Sequence, residues 1–217
     1  MFEKKLIAPE ALKDMLLHNF EGYEAQRQLL LTAPKYGNDD PAADAMARRV
    51  HDHICRYTRG QIRRVPLSSY LVVIINNSAN TSMGHYTMAT ADGRRAFEPL
   101  ANANNPSGGS DKNGVTAMLN SLVKLPTDIH AGSVQNIKFS KEMFNRYYDK
   151  TRAILKVYFD RGGSQLMINV LGREDLENAL KYPEKYRNLI VRVGGFCARF
   201  VELEPDVQRE IMSRTMY

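Results

Sequence analysis

The residues able to do chemistry are few. His51 and Cys55, in His51-Asp52-His53-Ile54-Cys55, would share one face of a helix, which is the spacing of a metal pair. A closed site needs four ligands and no further His or Cys cluster accompanies them, so a helix without metal is expected and no metal site is assigned. The only other cysteine is Cys197. Two cysteines are too few for a disulfide framework, neither sits in a CxxC pair, and such usage fits a reducing compartment. Arg56, Arg59, Arg63 and Arg64 form the densest part of a net charge of +6 and could attract phosphate. With no nucleic-acid motif beside them, they are expected to be a solvated or partner-facing helix end. In Arg192-Val193-Gly194-Gly195-Phe196, two glycines stand at a sharp turn between extended segments; taken alone, such a pair permits a positive φ angle or a bulge.

The surrounding elements follow from periodicity. Residues 8 to 60 read as helical, with Pro9 at a first helical position, Asp40-Pro41 as an N-cap and preformed first turn, and a loop over residues 33 to 39. Tyr70-Leu71-Val72-Val73-Ile74-Ile75 is a continuous, β-branched apolar run that suits a strand buried on both faces. The Gly-, Asn- and Asp-rich stretch from Ala91 to Gly114 is a long loop, followed by a helix over Val115 to Lys124. Phe144, Tyr147, Thr151, Ile154 and Tyr158 line one face of a helix that ends at Gly162-Gly163. Strand, helix and strand are then expected over 165 to 171, 174 to 180 and 189 to 193, and a closing amphipathic helix begins at Glu204-Pro205. This alternation predicts an α/β fold with parallel strands.

Of the chain's 217 residues, 43% are hydrophobic and 25% charged, enough to bury a core. No apolar run approaches the roughly 20 residues of a membrane span, and Met1-Phe2-Glu3-Lys4-Lys5 lacks the apolar core of a signal peptide, so a cytoplasmic protein is expected, with neither membrane nor nucleic acid as partner.

The tail from Leu189 through Phe196 to Gln208, Ile211 and Ser213-Arg214-Thr215 resembles the C-terminal signature of glycyl radical enzymes, Arg-Val-x-Gly-Tyr/Phe. The likeness continues upstream, in family order, through Asp92-Gly93-Arg94-Arg95, Asn105-Pro106, Gly109-x-Asp111-x-x-Gly114, Ser121-x-x-Lys124-Leu125-Pro126 and Gly162-Gly163. It also takes in Phe20-Glu21-Gly22-Tyr23 and residues 34 to 39, and so covers essentially the whole chain.

The resemblance implies part of a ten-stranded β/α barrel, with residues 1–90 from the C-terminal part of a pyruvate formate-lyase-like barrel domain and 91–217 as the glycine radical domain. It implies that Gly195 stores a Cα radical, stabilised by delocalisation onto the flanking amides, which demands a planar centre free of side chain. Arg192, Val193, Gly194 and Phe196 would be the buried loop that shields it, and Asp92, Gly93 and Arg94 a turn near the active cavity. A separate radical S-adenosylmethionine activating enzyme with an iron–sulfur cluster would abstract the hydrogen, leaving no bound cofactor. In the family the radical next oxidises a cysteine in a Gly-Cys context to a thiyl that attacks a small-molecule substrate, and oxygen cuts the backbone at the radical. This chain has no Gly-Cys dipeptide, and Cys197, a neighbour on the same strand, would point away from the cavity. It would therefore be the radical-bearing part of a lyase or acyltransferase acting with an upstream polypeptide. The other reading is a spare-part protein that repairs an oxygen-cleaved pyruvate formate-lyase-like enzyme. The ending Arg214-Thr215-Met216-Tyr217 reads closer to the dehydratase and decarboxylase branch than to pyruvate formate-lyase.

Overall fold

The computed structural model describes residues 6–217. Met1-Phe2-Glu3-Lys4-Lys5, read above as lacking a leader, lies outside the described residues. In chain order the structure runs α1 (Pro9–Leu17), α2 (Glu24–Leu31), α3 (Pro41–Gly60), β1 (Val73–Ile74), α4 (Ala79–Gly84) and α5 (Gly114–Val123). It continues with β2 (Gly132–Ser133), β3 (Asn136–Phe139), α6 (Lys141–Asn145), α7 (Tyr148–Asp160), β4 (Met167–Val170) and α8 (Arg173–Lys181). A hairpin of β5 (Ile190–Arg192) and β6 (Cys197–Arg199) and the helix α9 (Pro205–Ser213) complete it. Two compact units result: one takes residues up to Pro34 with Ala79–Leu100, the other Lys35–Ser78 with Ala101–Tyr217.

The first unit packs α1 and α2 around Leu12, Met15, Phe20, Leu30 and Ala89. In the second, β1 pairs with β2 and β3 with β4, both in parallel, whereas β5 and β6 are antiparallel. This mixture of helices with parallel strand pairs is the expected α/β class. One core joins α5, β3 and α7 through Met118, Leu122, Ile137, Phe139 and Tyr158. Another lies under the β5–β6 hairpin, where Val191, Val193 and Phe200 meet Leu176 of α8 and Val207 and Ile211 of α9.

Local sequence explains most boundaries. Asp40 accepts from the amides of Ala42 and Ala43 at 3.0 and 2.9 Å, capping α3 as its position before Pro41 predicts. The helix expected through Phe144 and Tyr158 is instead two, α6 and α7. The amide of Tyr147 reaches back to the carbonyl of Glu142 at 3.1 Å, and the carbonyl of Met143 is left to accept the Thr151 hydroxyl at 2.6 Å, which turns the chain there.

The run at residues 70 to 75 departs further from expectation. Only Val73–Ile74 forms a strand, and Val73 is 55% exposed, with Tyr70, Leu71 and Ile75 exposed as well. β1 pairs with β2 in a two-stranded sheet, and these side chains are left only partly covered. β3 is missing from the expectation because the buried Asn136 and Lys138 interrupt the apolar pattern. Among the described residues no helix is long and apolar enough to cross a membrane, and no group of three or more His, Cys, Asp or Glu is placed to hold a metal ion.

Candidate radical site

Gly194 and Gly195 form the tip of the β5–β6 hairpin. The last ladder pair is Arg192 with Cys197, and the Val193 amide donates to the Phe196 carbonyl at 3.0 Å across the tip. The loop is fixed from below because Val191, Val193 and Phe200 lie in the core, so β5 cannot slip by one residue without expelling Val191 and Val193.

Gly195 has φ +103°, a conformation L side chains rarely adopt. Its amide N–H donates to the Sδ of buried Met167 on β4 at 3.1 Å. A Cβ on Gly195 would stand 3.3 Å from Asn77 Oδ1, so the hydrogen on that side of the Cα faces the Asn77 amide group. At Gly194 the crowding comes from backbone: a Cβ there would lie 2.6 Å from the carbonyl oxygen and 2.9 Å from the Cα of Asn77. Asn77, just after β1, itself adopts φ +45°. Neighbouring asparagines brace this corner: Asn76 donates to the Ala101 carbonyl at 3.3 Å, and Asn136 donates to Asn102 at 2.7 Å.

Asn169 of β4 grips Arg192 from the side. Its Nδ2 donates to the Arg192 carbonyl at 3.0 Å and its Oδ1 accepts the Arg192 amide at 2.6 Å, so this side chain plays the part of a neighbouring strand. Val193 and Gly194 are buried, as a shielding loop requires, but Arg192, Gly195 and Phe196 are exposed, Phe196 at 44%. The expectation of a wholly buried loop is corrected on this point: Val193 sits in the core and Gly194 lies against the Asn77 backbone, while Arg192, Gly195 and Phe196 remain exposed.

The remaining candidates are accounted for locally. Cys197 sits exposed on β6 opposite Arg192, and Cys55 is buried in α3 with its Sγ 3.8 Å from His51 Nε2. Burial pushes the Cys55 thiol pKa up, away from thiolate character. Asp92, Gly93 and Arg94 lie in the first unit. There Asp92 accepts from Thr90 Oγ1 at 2.5 Å, Gly93 turns with φ +98°, and Arg94 donates to the carbonyls of Thr87, Met88, Arg95 and Glu98.

A glycine at positive φ, with its amide and one Cα face held by fixed partners, offers a Cα–H bond in a defined orientation. It offers no nucleophile, acid or base.

Comparison with known proteins places the chain in a family. The family model described as glycine radical matches residues 100–201, and the model described as pyruvate formate lyase-like matches residues 1–84. Over 99% of this chain, "Probable dehydratase YbiW" of Escherichia coli (strain K12) is 37% identical, and the match takes in 28% of that protein. The isethionate sulfite-lyase of Bilophila wadsworthia (strain 3_1_6) is 34% identical over 99% of this chain and 26% of its own length. Among solved structures, the glycerol-bound B12-independent glycerol dehydratase from Clostridium butyricum superposes with a TM-score of 0.92 at 34% identity, over 100% of this chain and 28% of that one. The chain thus spans between a quarter and a third of the length of the proteins it matches.

Proposed function

The chain belongs to the glycyl radical enzyme superfamily and corresponds to the C-terminal portion of its members, part of their α/β barrel; from that premise we propose that it is the radical-bearing part of a dehydratase- or lyase-type enzyme, with the radical on Gly195. The observation carrying this reading is the Gly195 backbone, at φ +103° with its N–H on Met167 and a Cα face turned to Asn77. Loss of a hydrogen atom from that carbon leaves one unpaired electron shared with the flanking amides. The activating partner is a radical S-adenosylmethionine enzyme, which takes up the hydrogen atom, so the chain itself retains no cofactor. Residues 91–217 act as the radical domain and residues 1–90 as barrel.

Turnover needs a cysteine thiyl and a substrate pocket from an upstream polypeptide, because no Gly-Cys pair is present here. A match to the pyruvate formate lyase-like model over residues 1–84, upstream of the radical domain, favours this reading over that of a spare-part repair protein. Small hydroxylated or sulfonated molecules are the substrate class, by likeness to the dehydratases and sulfite-lyases above.

The test is oxygen cleavage. Chain activated anaerobically and then exposed to air is expected to yield fragments cut at Gly195 by intact-mass spectrometry, with Gly195→Ala left whole. An uncut wild-type chain, or equal cutting in both, would overturn the proposal.

A further inference from the structure

We infer that Arg214 is a positioning residue for the Gly195 loop, holding the hairpin tip by its backbone carbonyls; its service to a radical rests on the function proposed above. Arg214 follows α9 directly. Its Nη2 donates to the Val193 carbonyl at 2.9 Å and its Nη1 to the Arg192 carbonyl at 3.2 Å. The carbonyl of the residue preceding the glycine pair therefore takes its partner from the C-terminal tail. The guanidinium is aimed by Glu210, which accepts from Nε at 3.0 Å and Nη2 at 2.7 Å in a bidentate pair whose side chains are only 8% and 10% exposed. A buried pair of this kind is stable only when its remaining donors are used, and here the glycine loop uses them.

The tail that carries Arg214 is itself tied down on both sides. Buried Lys138 of β3 donates to the carbonyls of Ile211 and Met212 at 3.2 Å each. Beyond Arg214, Thr215 Oγ1 donates to Asp111 at 2.5 Å, Tyr217 OH donates to the same carboxylate, and the Tyr217 amide donates to the Lys138 carbonyl at 2.9 Å. The guanidinium thus stands on a fixed base and sets where Arg192 and Val193 lie, three and two residues before Gly195. A lysine in its place could serve one carbonyl as a point charge but not the carboxylate fork and two carbonyls together.

The test compares the full chain with Arg214→Ala and Arg214→Lys in two readouts. In hydrogen exchange, the peptide spanning residues 190 to 199 is expected to exchange about tenfold faster in Arg214→Ala, less so in Arg214→Lys, while peptides of β3 and β4 exchange as in the wild type. After anaerobic activation, the electron paramagnetic resonance signal of Arg214→Ala is expected to show lower yield and an altered hyperfine splitting, which reports the geometry at the Gly195 carbon. Loop exchange unchanged in both variants, or accelerated no more than β3 and β4, would overturn the inference. So would a radical signal of unchanged yield and splitting. A wild-type chain without any radical signal counts against the proposed function alone, and the exchange contrast then decides the role of Arg214.

Discussion

A side chain is disfavoured at position 194 by contact and at position 195 by backbone conformation. At Gly194 the opposing atoms belong to the Asn77 backbone, which cannot swing aside, so Gly194→Ala is expected to lower stability by roughly 1–3 kcal/mol through displacement of the loop. Urea unfolding measures this, and an unchanged midpoint would contradict it. At Gly195 the nearest atom is a side-chain oxygen at 3.3 Å, and the cost of Gly195→Ala comes chiefly from φ +103°, on the order of 1–2 kcal/mol. The sequence pattern identifies both glycines, but not Met167 or Asn77, which lie far from the motif in the chain and reach it only when β4 and the end of β1 are in place. Arg214 stands within the recognised tail, yet nothing in its type or spacing announces which carbonyls it holds.

At the scale of elements, β3 carries more of the site's support than its pattern suggests. Lys138 is 4% exposed, and burial, aided by the nearby Arg214 charge, pushes its pKa down from an ordinary 10.5 to about 8. Between these values the unfolded chain binds more protons at this position than the folded chain, so this group's contribution to stability rises as pH increases from about 8 toward 10.5, and below about 8 it is constant at its lowest. The difference in unfolding free energy between wild type and Lys138→Met should accordingly grow in the wild type's favour from about pH 7.5 to about pH 10. A flat difference would contradict the assignment. The alternation of Ile137 and Phe139 was the available signal for β3. It was obscured because Asn136 and Lys138 are buried too, the one bonded to Asn102 and the other to α9. Helices were easier to find: Asp40-Pro41 and Glu204-Pro205 mark the starts of α3 and α9 through chemistry confined to neighbouring residues.

For the whole molecule, the mismatch between an apolar sequence and its exposure is itself informative. Tyr70, Leu71, Val73 and Ile75 form a run that reads as a strand covered on both faces, and in this chain all four are at least 36% exposed. Periodicity reports the environment in which a strand works, and this chain spans 28% of the length of its dehydratase relatives. The purified chain is therefore expected to bind a hydrophobic dye and self-associate, and to lose both properties when co-expressed with the upstream part of a related enzyme. A salt-insensitive monomer that binds no dye would contradict this. The central claim, that Gly195 holds the radical, is tested most directly by incubating the chain anaerobically with a reduced activating enzyme and S-adenosylmethionine and recording its electron paramagnetic resonance spectrum. A doublet present in the wild type and lost in Gly195→Ala is the predicted result; a silent wild type, or a doublet that survives the substitution, would contradict it.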